Sequence, residues 1–187
     1  MVAERDMRRV ISIVGMAGAG KSEVAGGFER NGLARIRFGD LTDGEVRRRN
    51  LELNEENERQ VRESLRKVHG MAAYAKLNLP AIEEALKGSS VVIDGLYSWE
   101  EYVFLKNHYG DDFRVIAVWA SPKTRYSRLA KRSTRGLTPE EAASRDRAEI
   151  ERVNKGGPIV MADFTIINET SLGDLSRELA KIIEKLK

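Results

Sequence analysis

The chain has 187 residues, of which 41% are hydrophobic and 33% charged, with a formal net charge of +3. This length suits one α/β domain with room for a helical insertion, and so small a basic excess does not indicate a nucleic-acid partner. Cysteine is absent, which excludes disulfides and thiolate chemistry, and the only histidines are His69 and His108. We expect both histidines to be surface or helix-end residues rather than metal ligands.

Charge and hydropathy near the N-terminus predict where the protein works. The first eight residues are rich in charge, and the apolar region of a signal peptide does not follow them. No apolar run approaches the ~20 residues of a membrane-spanning helix. We therefore expect a cytoplasmic protein that does not contact a membrane.

Apolar, β-branched runs alternate with helical patterns along the chain. The predicted strands cover residues 10–14, 34–38, 91–93, 115–119 and 164–167. The predicted helices cover residues 21–31, 44–86, 100–109, 122–133, 138–154 and 172–186. Such alternation is typical of a parallel sheet covered on both faces, so we expect a three-layer α/β fold with a five-stranded parallel sheet.

A phosphate-binding loop follows the first predicted strand. Its residues are Gly15, Met16, Ala17, Gly18, Ala19, Gly20, Lys21 and Ser22, which fit G-x-x-x-x-G-K-[ST]. Backbone N–H groups of such a loop surround phosphates, and the following helix adds the positive end of its dipole. We expect Lys21 to reach the β- and γ-phosphates, Ser22 to bind Mg²⁺, and Glu23 to lie beside the nucleotide in the first helical turn.

Two carboxylates follow predicted strands. Asp94 comes directly after Val91-Val92-Ile93, at the sheet edge where ligands of open α/β folds bind, so it is the expected second Mg²⁺ contact. Gly39-Asp40 ends the second predicted strand and places Asp40 beside the γ-phosphate. The alternatives are a turn-forming role for Asp94 and helix capping by Asp40.

Arginines are concentrated in the second half of the chain, at Arg125, Arg128, Arg132, Arg135, Arg145 and Arg147. The first three have helical spacing and can present their guanidinium groups to a transferring phosphoryl group. Gly136 and Pro139 interrupt the pattern, as the hinge of a lid requires. Residues 125–147 are therefore a predicted lid, the alternative being a basic helix that faces solvent.

The connection between the second and third strands is unusually long and charged. Residues 41–80 are predicted to be a helical insertion that binds the phosphoryl acceptor, and Arg47, Arg48 and Arg49 lie near its start. The alternative is a solvated helix stabilised by i,i+4 ion pairs. No repeat or linker divides the chain, so we expect a single domain over residues 1–187.

Together these features resemble the nucleotide-kinase branch of P-loop proteins, the adenylate kinases and dephospho-CoA kinases. Arg128-Leu129-Ala130-Lys131-Arg132 is similar to the start of an adenylate-kinase lid. That similarity implies that Arg128 contacts the ATP base and Arg132 its phosphates. Residues 162–168 resemble the A-D-x-x-I-x-N end of dephospho-CoA kinases, which implies that Asn168 lies beside the adenine.

The resemblance to a family of archaeal P-loop kinase-like proteins extends over nearly the whole chain. The shared segments are Val14-Gly15 with Gly20-Lys21-Ser22-Glu23-Val24, Gly39-Asp40, Val91-Val92-Ile93-Asp94-Gly95, Ala120-Ser121-Pro122, and Arg145-Asp146-Arg147 with Glu149. It is weakest over residues 42–79, the acceptor-binding part of the kinases. The resemblance therefore implies ATP and Mg²⁺ as cofactors more directly than it implies an acceptor.

These observations predict a kinase that transfers the γ-phosphoryl group of Mg-ATP to a nucleotide-like acceptor, with Lys21, Asp40, Arg128 and Arg132 as catalytic residues. A hydroxyl acceptor would use Asp40 as a base, whereas a phosphate acceptor would use the arginines at 47–49. The alternative function is an accessory or switch ATPase with no small-molecule acceptor. Aromatic residues, at 6%, are too few to indicate nucleic-acid stacking, and we expect a monomer or small homo-oligomer.

Overall fold

The computed structural model describes residues 8–186. The signal-peptide expectation rests mainly on residues 1–7, which lie outside the described residues. Within residues 8–186, no helix is both long enough and apolar enough to cross a bilayer.

A five-stranded sheet forms the centre of the protein. Its strands are β1 Val10–Val14, β2 Ala34–Arg37, β3 Val91–Asp94, β4 Phe113–Trp119 and β5 Phe164–Ile167. They lie in the order β2-β3-β1-β4-β5, and every pairing is parallel. The predicted α/β fold with a five-stranded parallel sheet is confirmed. Because β1 lies between β3 and β4, the loops after these three strands open side by side at one edge of the sheet.

Helices cover both faces of the sheet. They are α1 Lys21–Arg30, α2 Gly39–Arg48, α3 Glu55–His69, α4 Ala73–Leu86, α5 Trp99–Tyr109, α6 Pro122–Ala130, α7 Pro139–Glu151, α8 Gly156–Val160 and α9 Leu172–Lys185. On one face, Phe28 of α1 and Leu179 of α9 pack against the strands. On the other face, Tyr74 of α4 and Leu105 of α5 do so. Both clusters consist of apolar side chains, and the result is the three-layer arrangement that alternating strands and helices favour.

The predicted helical stretch 44–86 consists of three helices. The side chain of Asn54 accepts a hydrogen bond from the backbone N–H of Asn57 and caps the start of α3. Gly70 ends α3 with a φ of 82°, a left-handed conformation that glycine adopts without strain. Helix α3 therefore stands out from the sheet beside the loops at its carboxyl edge, between α2 and α4 in the chain.

The start of α2 differs from the sequence prediction. Strand β2 ends at Arg37 rather than Phe38, and Gly39 begins a helix. Asp40 therefore lies in the first turn of α2 and does not extend a strand, which changes the direction of its side chain.

Candidate active site

The glycine-rich loop between β1 and α1 has the backbone that phosphate binding requires. Gly18 and Gly20 have φ values of 79° and 105°. A Cβ atom at Gly20 would lie 2.3 Å from the side-chain nitrogen of Asn168, and one at Gly15 would lie 2.3 Å from the carbonyl oxygen of Val118. Side chains at these positions would therefore push neighbouring strands away from the loop.

Lys21 begins α1 and lines a cavity of about 720 Å³. Its Nζ donates a hydrogen bond to the carbonyl oxygen of Met16, 3.1 Å away, so the side chain folds back over the loop. Burial, together with the nearby charge of Lys155, lowers the pKa of Lys21 to about 7. A polyphosphate in the loop would supply the negative charge that restores the ammonium form.

Ser22 and Asp94 lie together next to the loop. The Ser22 hydroxyl is 3.4 Å from an Asp94 carboxylate oxygen, and Asp94 is only 4% exposed. Arg35 of β2 donates to the other Asp94 oxygen at 2.5 Å and orients the carboxylate, a contact that sequence reasoning missed. Among residues 8–186, no three histidine, aspartate or glutamate side chains are grouped to hold a metal alone. Mg²⁺ does not need such a group, because it keeps several waters and is held by few protein ligands plus phosphates. The Ser22–Asp94 pair fits that requirement.

The structure corrects the expected position of Asp40. Its side chain is 68% exposed and bonded to Arg37 at 2.6 Å, and it does not line the cavity. Asp43, one helical turn later, is buried and lines the cavity instead. It binds Arg37 at 2.8 Å and Arg135 at 2.9 Å. Burial disfavours the charge of Asp43, but the hydrogen bonds from both arginines outweigh it and lower the pKa of the carboxyl group.

The arginines expected in the lid have different surroundings. Arg132, Arg135 and Arg145 line the cavity. Arg125 is instead buried against α7, where its guanidinium group donates to both carboxylate oxygens of Asp146. The expectation that Arg125 faces a phosphoryl group is therefore wrong. Arg147 is exposed and does not line the cavity.

A second, smaller hollow of about 330 Å³ lies on the other side of the glycine-rich loop. It brings together Gly20, Glu23, Arg128 and Asn168, residues that sequence analysis assigned to the nucleotide. The Asn168 side chain donates to the carbonyl oxygen of Ala19 at 2.8 Å and holds the loop to the end of β5. The structure thus places these four residues in one location, next to the phosphate loop.

The cations at residues 47–49 lie outside the cavity. Arg48 and Arg49 bind Glu45 on the exposed side of α2, so their expected acceptor role is not supported by their position. Helix α3 provides cavity-lining cations instead, at Arg59, Arg62, Arg66 and Lys67. The spacing of three and four residues between Arg59, Arg62 and Arg66 is the helical signal that would have identified these arginines.

A buried charge cluster lies at the junction of α7 and α8. Lys155, 1% exposed, donates to Glu149 at 2.8 Å, and Arg145 binds the other Glu149 oxygen at 3.3 Å. Burial disfavours the charge of Glu149, but Lys155 and Arg145 outweigh it and lower its pKa well below the usual value. The local sequence around Lys155 does not indicate that this lysine is buried and lines the same cavity as Lys21.

The parallel sheet, the phosphate loop after β1 and the carboxylate at the end of β3 define a P-loop kinase-like fold. A shikimate kinase from Bacteroides thetaiotaomicron has a TM-score of 0.61 at 15% identity, covering 94% of this chain and 98% of that one. A gluconokinase from Sinorhizobium meliloti has a TM-score of 0.60 at 16% identity, covering 97% of both chains. At these identities the similarity shows the fold alone.

The sequence comparisons identify the family. The family described as AAA domain matches residues 11–163. A UPF0200 protein of Thermococcus kodakarensis is 33% identical over 181 residues, covering 95% of this chain and 97% of the relative. A UPF0200/UPF0201 protein of Archaeoglobus fulgidus is 38% identical over 181 residues, covering 95% of this chain and 56% of the relative. The chain belongs to the UPF0200 family of P-loop kinase-like proteins. The expected resemblance to archaeal P-loop kinase-like proteins is confirmed.

Proposed function

We propose that this protein is a kinase that transfers the γ-phosphoryl group of Mg-ATP to a small, nucleotide-like acceptor. One observation carries the proposal: Lys21 and Ser22 of the phosphate loop line the same cavity as the inner side of α3. Its volume of about 720 Å³ lies within the range of small-molecule sites, roughly 300–1,000 Å³. A donor phosphate and an acceptor would therefore meet in one enclosed space.

The donor side uses the loop and its neighbours. Backbone N–H groups from Met16 to Ser22 would hold the phosphates, and Lys21 would place its charge at the β- and γ-oxygens. Ser22 and Asp94 would hold Mg²⁺, which when bound neutralises the charge of the phosphate oxygens. The hollow beside Arg128 would receive the base.

The acceptor side is formed by residues 41–80, chiefly α2 and α3. Asp43 lines the cavity and binds Arg37 and Arg135, so it would take the role expected of Asp40. Residues 125–147 would act as the lid, with Arg132 directed at the phosphates. Arg135 of this segment contacts Asp43 and Glu58, so the lid would close against α2 and α3.

The proposal is tested by measuring ADP formation from Mg-ATP with nucleoside monophosphates, nucleosides and dephospho-CoA as acceptors. We expect ADP formation to depend on one class of acceptor and to disappear in Lys21→Ala. The matched control is Lys123→Ala, which removes an exposed lysine of α6 outside the cavity. ADP formation at an equal rate without any acceptor would instead support the accessory ATPase function.

A further inference from the structure

Arg66 is a cavity-lining cation whose charge is not paired. Its guanidinium carbon lies 5.4 Å from the centre of the Tyr74 ring. Within residues 8–186 its side chain forms no ion pair within 4.0 Å, and its Nε is buried without a hydrogen-bond partner. A charged group without a partner is destabilising, so a guanidinium group that lines the cavity and has no carboxylate partner favours a bound anion.

Lys155 is a second cation, and its ammonium group has N–H donors that the contact with Glu149 does not use. Its Nζ bonds to Glu149 and lies 5.3 Å from the centre of the Tyr97 ring. An ammonium group has three N–H donors, and the contact with Glu149 uses one. Asn154 precedes it with a φ of 52°, in the left-handed region. The chain therefore turns sharply just before Lys155 and directs this side chain into the protein.

Arg66 and Lys155 belong to one subsite, although they come from distant parts of the chain. Arg66 lies over the Tyr74 ring and Lys155 over the Tyr97 ring. These two rings contact each other edge to face, with centroids 5.2 Å apart. Both cations line the main cavity, together with Met71. Lys155 also lowers the pKa of Lys21, so the subsite lies close to the phosphate loop.

Two carboxyl groups lie near the subsite, Glu149 and Glu101, and neither forms an ion pair with Arg66. Glu149 is shared between Lys155 and Arg145. Glu101 of α5 is fully buried below Tyr97, whose backbone N–H it accepts at 2.8 Å. Burial raises the pKa of Glu101 to about 7, so near neutral pH much of it carries no charge. Arg66 and Lys155 therefore keep net positive charge at this part of the cavity, and that charge attracts an anion.

We infer that Arg66 and Lys155 bind an anionic group of the phosphoryl acceptor, a phosphate or a carboxylate. The inference rests on the proposed function and narrows its acceptor to anionic small molecules. Arg66 can bind such a group with two parallel N–H donors, and Lys155 binds it as a point charge. A tyrosine ring lies against each cation, and both cations line the cavity.

The test measures binding of inorganic phosphate, and of malonate as a carboxylate probe, to protein saturated with Mg²⁺ and an unhydrolysable ATP analogue. The analogue fills the phosphate loop, so the titration reports on a second site. The variants are Arg66→Gln and Lys155→Gln. The matched controls are Arg177→Gln and Lys181→Gln, which remove exposed, ion-paired cations of α9.

We expect wild-type protein to bind at least one probe, and each subsite variant to bind it about tenfold more weakly or worse, as loss of a charged hydrogen bond implies. The better probe identifies the anion as phosphate or carboxylate. The affinity of Arg66→Gln for the ATP analogue should be unchanged. If Lys155→Gln does not fold, Arg66→Gln alone still tests the subsite. Binding of neither probe to the loaded wild type, or equal binding by Arg66→Gln, overturns the subsite. Failure of the analogue itself to bind contradicts the kinase proposal instead.

Discussion

Arg125 and Asp146 form a two-pronged ion pair buried between α6 and α7, with N–O distances of 2.9 and 2.6 Å. The same guanidinium group donates to the carbonyl oxygen of Ala17 in the phosphate loop at 3.1 Å. One side chain therefore connects the loop that would bind the donor with both helices of the proposed lid.

Arg125→Gln is expected to destabilise the protein by about 3–5 kcal/mol, because Asp146 would remain buried without its partner. Urea denaturation measures the free energy of unfolding. The control is Arg147→Gln on the exposed side of α7, which should stay within about 0.5 kcal/mol of wild type. Equal stability of the two variants would show that the pair is not a structural contact.

Affinity for an ATP analogue should fall as pH rises above about 7. In the free protein the pKa of Lys21 is about 7, and bound phosphates would raise it. Binding is then coupled to proton uptake, so affinity is lost between these two pKa values by at most about tenfold per pH unit. Calorimetry at several pH values measures this slope. Lys21→Ala should bind the ATP analogue weakly at every pH, and its affinity should depend less on pH than that of the wild type. A wild-type affinity that rises with pH would contradict the role of Lys21 in phosphate binding.

Asp94→Asn should raise the Mg²⁺ concentration needed for half-maximal activity more than it weakens nucleotide binding. The amide keeps the shape of the side chain but loses the charge that attracts the metal and its waters. A magnesium titration of ADP formation is the measurement. The control is Glu29→Gln, which removes the other carboxylate bonded to Arg35 but lies outside the cavity. An unchanged half-saturation would leave Asp94 with a turn-forming role only.

Asp43→Asn should lower turnover about tenfold or more, whereas Asp40→Asn should change it less than about twofold. Asp43 positions two cavity arginines, and Asp40 bonds to Arg37 on the exposed side of α2. Steady-state kinetics compares the two variants on whichever acceptor supports ADP formation in the test described above. A hundredfold loss in Asp40→Asn would restore the role of this residue as a general base.

Residues 132–147 should exchange backbone hydrogens more slowly when the ATP analogue binds. This segment contacts α3 through ion pairs, Arg135 with Glu58 at 3.1 Å and Arg145 with Glu55 at 2.8 Å. Such contacts alone hold a segment weakly, and phosphate charge would add to them. Hydrogen exchange followed by mass spectrometry gives the comparison, with α9 as internal control. Equal exchange in both states would indicate a fixed helical face.

The sheet and the phosphate loop could be predicted from the amino-acid sequence alone. Both depend on local properties: β-branched runs form buried strands, and the glycines of residues 15–20 permit positive φ values. Such signals involve residues close together in the chain, so they can be seen without the fold. The positions of Lys21, Ser22 and Asp94 followed because the edge of a parallel sheet brings strand ends together.

Which charged side chains line the cavity is visible only in the folded protein. The turn from β2 into α2 buries Asp43 and exposes Asp40, although the two are three residues apart. Arg66 and Lys155 are 89 positions apart, and they meet only because Tyr74 and Tyr97 pack against each other. Local patterns show that a residue is charged, but its direction and partners depend on packing between distant elements. That is why the donor loop could be predicted from the sequence and the acceptor side could not.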